Sequence, residues 1–236
     1  MAESSARVQR AAVRRALIVM AKEPSVGNTK TRLSPPLTEK QAKDLYLSFL
    51  MDTLELMSRV EQAEPVVAYW PSEAERVFRR LAPDGFHFVQ QEGADLGERL
   101  NHVLTVCLEQ GYRQVVAVDS DSPTLPASYL RAAFTTLDNP AVDVVLGPCD
   151  DGGYYLIGMK SPQPFLFEKM EMSTATVAAD TLKRGEQNGL RFVCLPNWYD
   201  VDTGQDLQRL ATELGPHGCE IARHTREILS QTRFEL

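Results

Sequence analysis

Several common chemistries lack their signatures in this sequence. It holds four cysteines, Cys107, Cys149, Cys194 and Cys219, and no CxxC pair, so a zinc knuckle is excluded and reduced, mostly buried thiols are expected. The four histidines, His87, His102, His217 and His224, show no metal-ligand spacing. His87 alternates with Phe86 and Phe88 and is expected to face outward. GxGxxG, GxSxG, HExxH and the GxxxxGK[ST] phosphate loop are all missing, which removes the common dinucleotide, serine-hydrolase, zincin and P-loop readings. No apolar run approaches the roughly 18 residues of a membrane span. Positive charge is also scarce: 25 Lys and Arg against 32 Asp and Glu leave a net charge of −7. General nucleic-acid binding, which needs a basic footprint, is not expected. The basic start, with Arg7, Arg10, Arg14 and Arg15, precedes only six apolar residues, Ala16–Ala21, before Lys22. That is short for a signal peptide, so residues 1–14 are expected to be a disordered tail and the protein cytoplasmic.

What is present is alternation. With 236 residues, 43% hydrophobic, the chain suits a single domain over 15–236 with a sizeable core. Ala16–Ala21 (ALIVMA) reads as a strand buried on both faces. A long helix follows from Thr38 to about Val60, opened by a Thr38/Gln41 capping box and carrying one broad apolar face through Leu45, Phe49, Leu50 and Leu54. Strands are expected at Pro65–Trp70, Phe86–Gln90, Gln114–Asp119, Val142–Gly147, Tyr154–Met159 and Leu190–Leu195. Helices are expected from Ser72, with Glu75 as a capping partner, to Leu81, from Asp95 to Gln110, and over Pro126–Leu137, Thr174–Gln187, Thr203–Leu214 and Cys219–Gln231. Strands separated by helices mean βαβ units and a mainly parallel sheet. The fold class is therefore α/β, a three-layer α/β/α sandwich, whose ligands lie at the carboxyl ends of the strands.

The loops after the strands are chemically dense. The first runs from Ala21 to Leu33 and gathers Lys22, Lys30 and Arg32 around Gly27, a cationic loop whose glycine lets backbone approach a phosphate. The second, Asp119-Ser120-Asp121, ends an apolar strand. In an extended chain, alternate residues share a side, and two neighbouring anions need a shared cation. Mg²⁺ or Mn²⁺ meets that need with oxygen ligands. The third, Asp150-Asp151-Gly152-Gly153-Tyr154, is either a tight turn or a wall of an acceptor pocket with Asp151 as hydrogen-bond acceptor or base. The fourth carries Asp200 and Asp202. Asp202 is read as a further metal ligand, and Asp206 as a helix cap. Gln91, Gly93, Asp95 and Gly97 lie after another strand, at a helix start that could line a base or ribose.

Together, Lys22-Glu-Pro-x-x-Gly27-x-x-Lys30-Thr-Arg-Leu33, Asp95-Leu-Gly-x-Arg-Leu100, Asp119-Ser-Asp-Ser-Pro-Thr-Leu125, Asp151-Gly-Gly-Tyr-Tyr-Leu-Ile-Gly158 and Trp198-Tyr-Asp-Val-Asp-Thr203 resemble one family. It comprises the nucleotide-diphospho-sugar-transferase-like proteins of glycosyltransferase-A type, also described as radical-SAM/selenodomain-associated transferases. The pattern is similar to the 2-phospholactate guanylyltransferases and more distantly to the molybdenum-cofactor guanylyltransferases, over residues 16–215. The resemblance implies one antiparallel strand in the sheet, a nucleotide in the amino-terminal half and an acceptor in the carboxyl-terminal half. It implies that Ala21, Lys22, Gly27, Lys30, Arg32, Gln91, Gly93 and Asp119 bind the nucleotide, and Asp151, Gly152, Gly153 and Tyr154 the acceptor. Asp119, Asp121 and Asp202 would hold Mg²⁺ or Mn²⁺, and Asp121, Lys30 and Asp151 would act in catalysis. Two departures stand out: Pro24-x-x-Gly27 replaces a glycine-rich first loop, and Met172 stands where an aromatic is expected.

The expected function is a metal-dependent transferase using a nucleotide or nucleotide-sugar donor and a small-molecule acceptor. Glycosyl transfer from an NDP-sugar leads. Nucleotidyl transfer from an NTP to a phosphorylated acceptor is the alternative, and a non-catalytic nucleotide-binding protein or a metal-dependent phosphohydrolase stand behind it. Apolar helix faces leave a homodimer open.

Overall fold

The fold was described from a computed structural model, which covers residues 13–215 and 221–231. The tail expected over 1–14 therefore lies outside the described residues up to position 12. Arg14 is described and is anchored, its guanidinium donating twice to Glu64, at 3.2 and 3.0 Å.

Seven strands form one sheet: β1 (Arg15–Lys22), β2 (Glu64–Trp70), β3 (His87–Gln90), β4 (Gln114–Val118), β5 (Val144–Pro148), β6 (Tyr154–Met159) and β7 (Phe192–Cys194). Their order is β3-β2-β1-β4-β6-β5-β7. Among the described residues only β6 runs antiparallel, paired with β4 on one side and β5 on the other. The helices are α1 (Glu39–Ser58), α2 (Glu75–Leu81), α3 (Leu96–Glu109), α4 (Ala127–Leu137), α5 (Val177–Gln187), α6 (Gly204–Leu214) and α7 (Arg223–Gln231). Among the described residues none is long and apolar enough to cross a membrane.

Strand alternation divides the core. Leu17, Val19 and Ala21 of β1, with Val116 and Val118 of β4, face α1, α2 and α4. Ala16 and Ile18, with Val115 and Ala117, face α3 and α5. Both faces of β1 and β4 are covered, which explains their unbroken apolar runs. Helix α1, 20 residues and so about 30 Å long, also buries Leu45 and Phe49 against Leu207 and Leu210 of α6. Its capping box forms as the sequence dictates, Gln41 N–H donating to Thr38 and Thr38 N–H to the Gln41 side chain. Asp95 and Thr203 cap α3 and α6 in the same local way.

Several expectations need correction. The segment from Ser72 opens as a 3-10 turn, Ser72–Ala74, and α2 has no side-chain cap, so the Ser72/Glu75 pairing does not occur. Helix α5 starts at Val177 rather than Thr174, because the preceding residues pack over Gly152 and Ala178 N–H donates to the Gly152 carbonyl. Strand β7 is three residues, not six. The last helix starts at Arg223; Cys219 lies outside the described residues. Cys107 and Cys149 are buried, whereas Cys194 is exposed.

Chain order reverses at β1: β2 lies on one side and β4 on the other. A crevice therefore opens beyond the carboxyl ends of β1 and β4, where α/β sheets hold ligands. The antiparallel β6 starts at this same edge, so the Asp150–Gly153 turn that precedes it faces the crevice.

Candidate active site

Lys30 lies at the centre. Its side chain is only 5% exposed, and its Nζ stands 3.0 Å from Asp121 and 2.7 Å from Asp202. One ammonium thus bridges the end of β4 and the loop before α6. The backbone at Lys30 is left-handed, φ 51°, an uncommon conformation for a side-chain-bearing residue. Arg32 approaches the far oxygen of Asp202 at 3.3 Å and is otherwise exposed. Lys22 Nζ reaches back to the Asn28 carbonyl at 2.8 Å, and its N–H donates to the Tyr46 hydroxyl. Tyr46 also bonds Ser120, and burial raises its phenol to about 12. Gly27 turns the loop at φ 78°. Lys22, Lys30, Arg32, Tyr46 and Ser120, with Asp121 and Asp202, line a basin of about 310 Å³, whose cations suit phosphate oxygens; Gly27, expected at the nucleotide, lies outside that lining.

The carboxylates are unequal. Asp119 accepts from the Asp121 N–H and the Ser122 hydroxyl. Desolvation, then the charges of Asp121 and Asp200, push its carboxyl up to about 8. Burial and the charges of Asp202 and Asp151 raise Asp200 to about 6. Burial also raises Asp121, despite Lys30. Burial acts on Asp202 too, but there Lys30 and Arg32 win and hold it below the ordinary carboxylate range. The site thus crowds Asp119, Asp121, Asp151, Asp200 and Asp202 around Lys30 and Arg32, a surplus of carboxyl groups over cations.

That surplus bears on a divalent cation. The oxygen donors fit a hard ion, and Asp121 Oδ1 has no well-aligned hydrogen-bond donor although Lys30 is near. The arrangement, however, differs from the one expected. The chain bends at Ser120–Asp121, so Asp119 and Asp121 do not alternate as in a strand, and Lys30 already holds Asp121 with Asp202. Among the described residues, Asp119, Asp121 and Asp202 do not form a group with all ligand atoms within 4.8 Å; Cys149, Asp151 and Asp200 do.

The other expected residues take varied places. Gln91 is buried, and its amide donates to the Ala21 and Ala68 carbonyls at 3.2 and 2.7 Å. It clamps the ends of β1 and β2 instead of presenting that amide to a base. Gly93, at φ 140°, brings the chain against Glu98 of α3, where a Cβ would lie 2.6 Å away. Asp151 is exposed and accepts the Gly153 N–H at 2.8 Å, closing the turn. Gly152 has φ 90°, and a Cβ there would stand 1.9 Å from the Ala175 carbonyl oxygen, so only glycine fits. Tyr154 donates to Met172 Sδ. A second cavity, about 490 Å³, runs from Asp119, Asp121, Asp151, Asp200 and Asp202 toward Tyr154 and Met172. Asp200 and Cys149 were not among the sequence candidates. The Asp200-x-Asp202 alternation signalled the first, whereas a lone buried cysteine carries no signal.

This sheet order, with a basic loop after β1 facing carboxylates after β4, is shared with solved structures of the nucleotidyltransferase and nucleotide-diphospho-sugar-transferase fold. Within it, the chain belongs to the family described as "Uncharacterized protein conserved in bacteria (DUF2064)", whose profile matches residues 53–174. A crystal structure of a candidate nucleotide-diphospho-sugar transferase from Desulfovibrio desulfuricans is 32% identical, with a TM-score of 0.83, over 92% of this chain and 94% of that one. The 2-phospho-L-lactate guanylyltransferase of Methanothermobacter thermautotrophicus is 25% identical over 212 residues, 88% of this chain and 86% of that protein. The 4-diphosphocytidyl-2C-methyl-D-erythritol synthase of Anaerococcus prevotii shares the fold at 13% identity, with a TM-score of 0.57, over 86% of this chain and 99% of that one. Two of these three relatives are transferases by name.

Proposed function

We propose that the protein is a nucleotidyltransferase, moving a nucleoside monophosphate from an NTP to a small-molecule acceptor. One observation carries this reading. The cationic basin and the 490 Å³ cavity meet at Asp121 and Asp202 and share, besides these, only Met20 and Arg32. A triphosphate along Lys22, Lys30 and Arg32 would bring its α-phosphorus to that junction. The guanylyltransferase relative supports the choice over sugar transfer. The Desulfovibrio neighbour keeps glycosyl transfer from an NDP-sugar as a second reading.

The step asks for positioning and charge neutralisation. An acceptor oxygen or nitrogen bonds to the α-phosphorus, the bond from that phosphorus to the pyrophosphate oxygen breaks, and pyrophosphate leaves. Lys30 and Arg32 would balance charge on the leaving oxygens. A hydroxyl acceptor would pass its proton to Asp151, the carboxylate on the acceptor side. Asp119, Asp121 and Asp202, with Asp200 beside them, would hold Mg²⁺ or Mn²⁺ by closing up from their present spacing as Lys30 turns from Asp121 and Asp202 to the phosphates, and the ion would supply further neutralisation.

The test is titration of the purified chain with the common NTPs, NDPs and NDP-sugars, with and without Mn²⁺. Preference for one NTP, with pyrophosphate competing, is expected. Tighter binding of an NDP and its sugar conjugate would transfer the assignment to sugar transfer. No binding by any nucleotide would remove both.

A further inference from the structure

The larger cavity is lined by two unlike sets of side chains. Asp119, Asp151 and Asp200 form one. The other is apolar: Leu96, Leu100, Leu156, Met172 and Val177, with Met20 where the two basins meet. Leu96 opens α3 yet is 46% exposed, one of few large apolar side chains so placed among the described residues. Met172 is held against this wall. Tyr154 donates to its sulfur at 3.9 Å, and a Cβ on Gly97 of α3 would come within 3.4 Å of its Cγ. Among the described residues Arg32 is the only cationic one in the lining, and it is turned to Asp202. The acceptor end therefore lacks a built anion site, while the phosphate-directed cations stand in the neighbouring basin. About 490 Å³ also falls among cavities that bury ligands well above two or three carbons.

From this division we infer that the acceptor is an amphipathic alcohol or amine, its polar head at the carboxylates and a hydrocarbon body of about four or more carbons against the methionine and leucine wall. A small phosphorylated acid would leave that wall wet and set its phosphate among carboxylates. The inference rests on the transferase reading above for the word acceptor. The cavity's chemical preference stands independently.

Two methionines make the test direct. Met20 borders both basins, whereas Met172 borders only the larger cavity. Methyl spectra of the full chain, carbon-13 labelled at methionine, would be titrated with 1-butanol, 1-pentanol, 1-hexanol, hexylamine and hexyl phosphate. Separate titrations would use ATP, GTP, CTP and UTP. Expected is a saturable shift of Met172 with the alcohols and the amine, affinity rising about two- to fourfold per methylene, and weaker binding of hexyl phosphate. Met57 and Met159, both buried in the core, should not move. Leu96→Asp, an exposed change at the first turn of a helix, should lower the hexanol affinity at least fivefold. Hexyl phosphate binding as tightly as hexanol, or no Met172 shift with any alcohol, would overturn the inference. If a nucleotide shifts Met20 while the alcohols leave Met172 still, only the acceptor inference fails. If the alcohols act and no nucleotide does, only the donor reading fails.

Discussion

Replacing Lys30 with methionine removes the charge at the centre of the site while keeping a straight chain of similar length. Both residues suffer the left-handed backbone alike, so that strain cancels. What remains is the loss of one ammonium from two carboxylates. Breaking a fully buried ion pair typically costs about 3–5 kcal/mol. Here Asp121 and Asp202 keep 31% and 24% of their side-chain surface exposed, so solvent screens part of it and about 1–3 kcal/mol is expected. For a chain of this size that lowers Tm by roughly 2–12 °C. The pH dependence follows from the direction of each shift. Asp202 has a depressed folded pKa, so its contribution is present above the ordinary carboxylate value near 4 and is lost as pH falls through the folded value. Lys30 is raised, so its contribution is fully present below its ordinary value near 10 and does not vary between pH 4 and 8. The difference between Lys30→Met and the native chain should thus be largest near pH 7.5 and shrink toward pH 4. Urea unfolding followed by the fluorescence of Trp70 and Trp198 would measure it at both pH values. Adding Asp202→Asn to Lys30→Met should restore part of the loss. A cost under about 0.5 kcal/mol, the usual span of an inconsequential surface change, or one equal at the two pH values, would refute the ion-pair account.

Three further outcomes are expected. Asp119, raised to about 8 when folded, binds a proton more readily folded than unfolded between about pH 4 and 8, so stability falls as pH rises across that window; Asp119→Asn should gain about 0.5–2 kcal/mol at pH 8, gain little at pH 4, and weaken Mn²⁺-supported nucleotide binding, all readable from melting curves. Gly152→Ala, with its Cβ 1.9 Å from a carbonyl oxygen, should cost about 2 kcal/mol or more by denaturant unfolding, and a neutral result would contradict the packing of 174–177 over the turn. Asp52 accepts the His224 and Thr225 N–H groups at the start of α7; Asp52→Ala should cost about 1–2 kcal/mol and speed amide exchange in α7, while NTP affinity stays unchanged.

What was legible in the sequence is what depends on near neighbours. The caps at Thr38, Asp95 and Thr203 were readable because donor and acceptor lie three residues apart. The runs of β1 and β4 were readable because burial on both faces leaves no polar alternation. The helix start at Thr174 was misread because the segment before Val177 packs over Gly152, about 22 residues upstream of Thr174, a contact no local pattern states. The site divides similarly. Its loops were located by the rule that ligands lie at strand ends, but their pairings were not. Lys30 meets Asp202 across 172 residues, and no local pattern states that partnership. Gln91 was read as a ligand contact because a polar residue after a strand looks available; the fold consumes its amide in clamping β1 to β2. Asp119 and Asp121 were placed side by side on the assumption of an extended chain, whereas the backbone bends between them.

The reversed strand β6 has a consequence for how such a fold diversifies. Donor-side residues are set by β1, β4 and the crossovers between them. The wall of the larger cavity draws on the hairpin β5–turn–β6 and the segment over it for Cys149, Tyr154, Leu156 and Met172, and on β1 and α3 for Met20, Leu96 and Leu100. A change of hairpin sequence can refashion the larger cavity while the Lys30 bridge keeps its anchorage in β4 and the loop before α6. The two halves of the crevice can in this way drift at different rates, one conserving the reagent and the other exchanging the recipient.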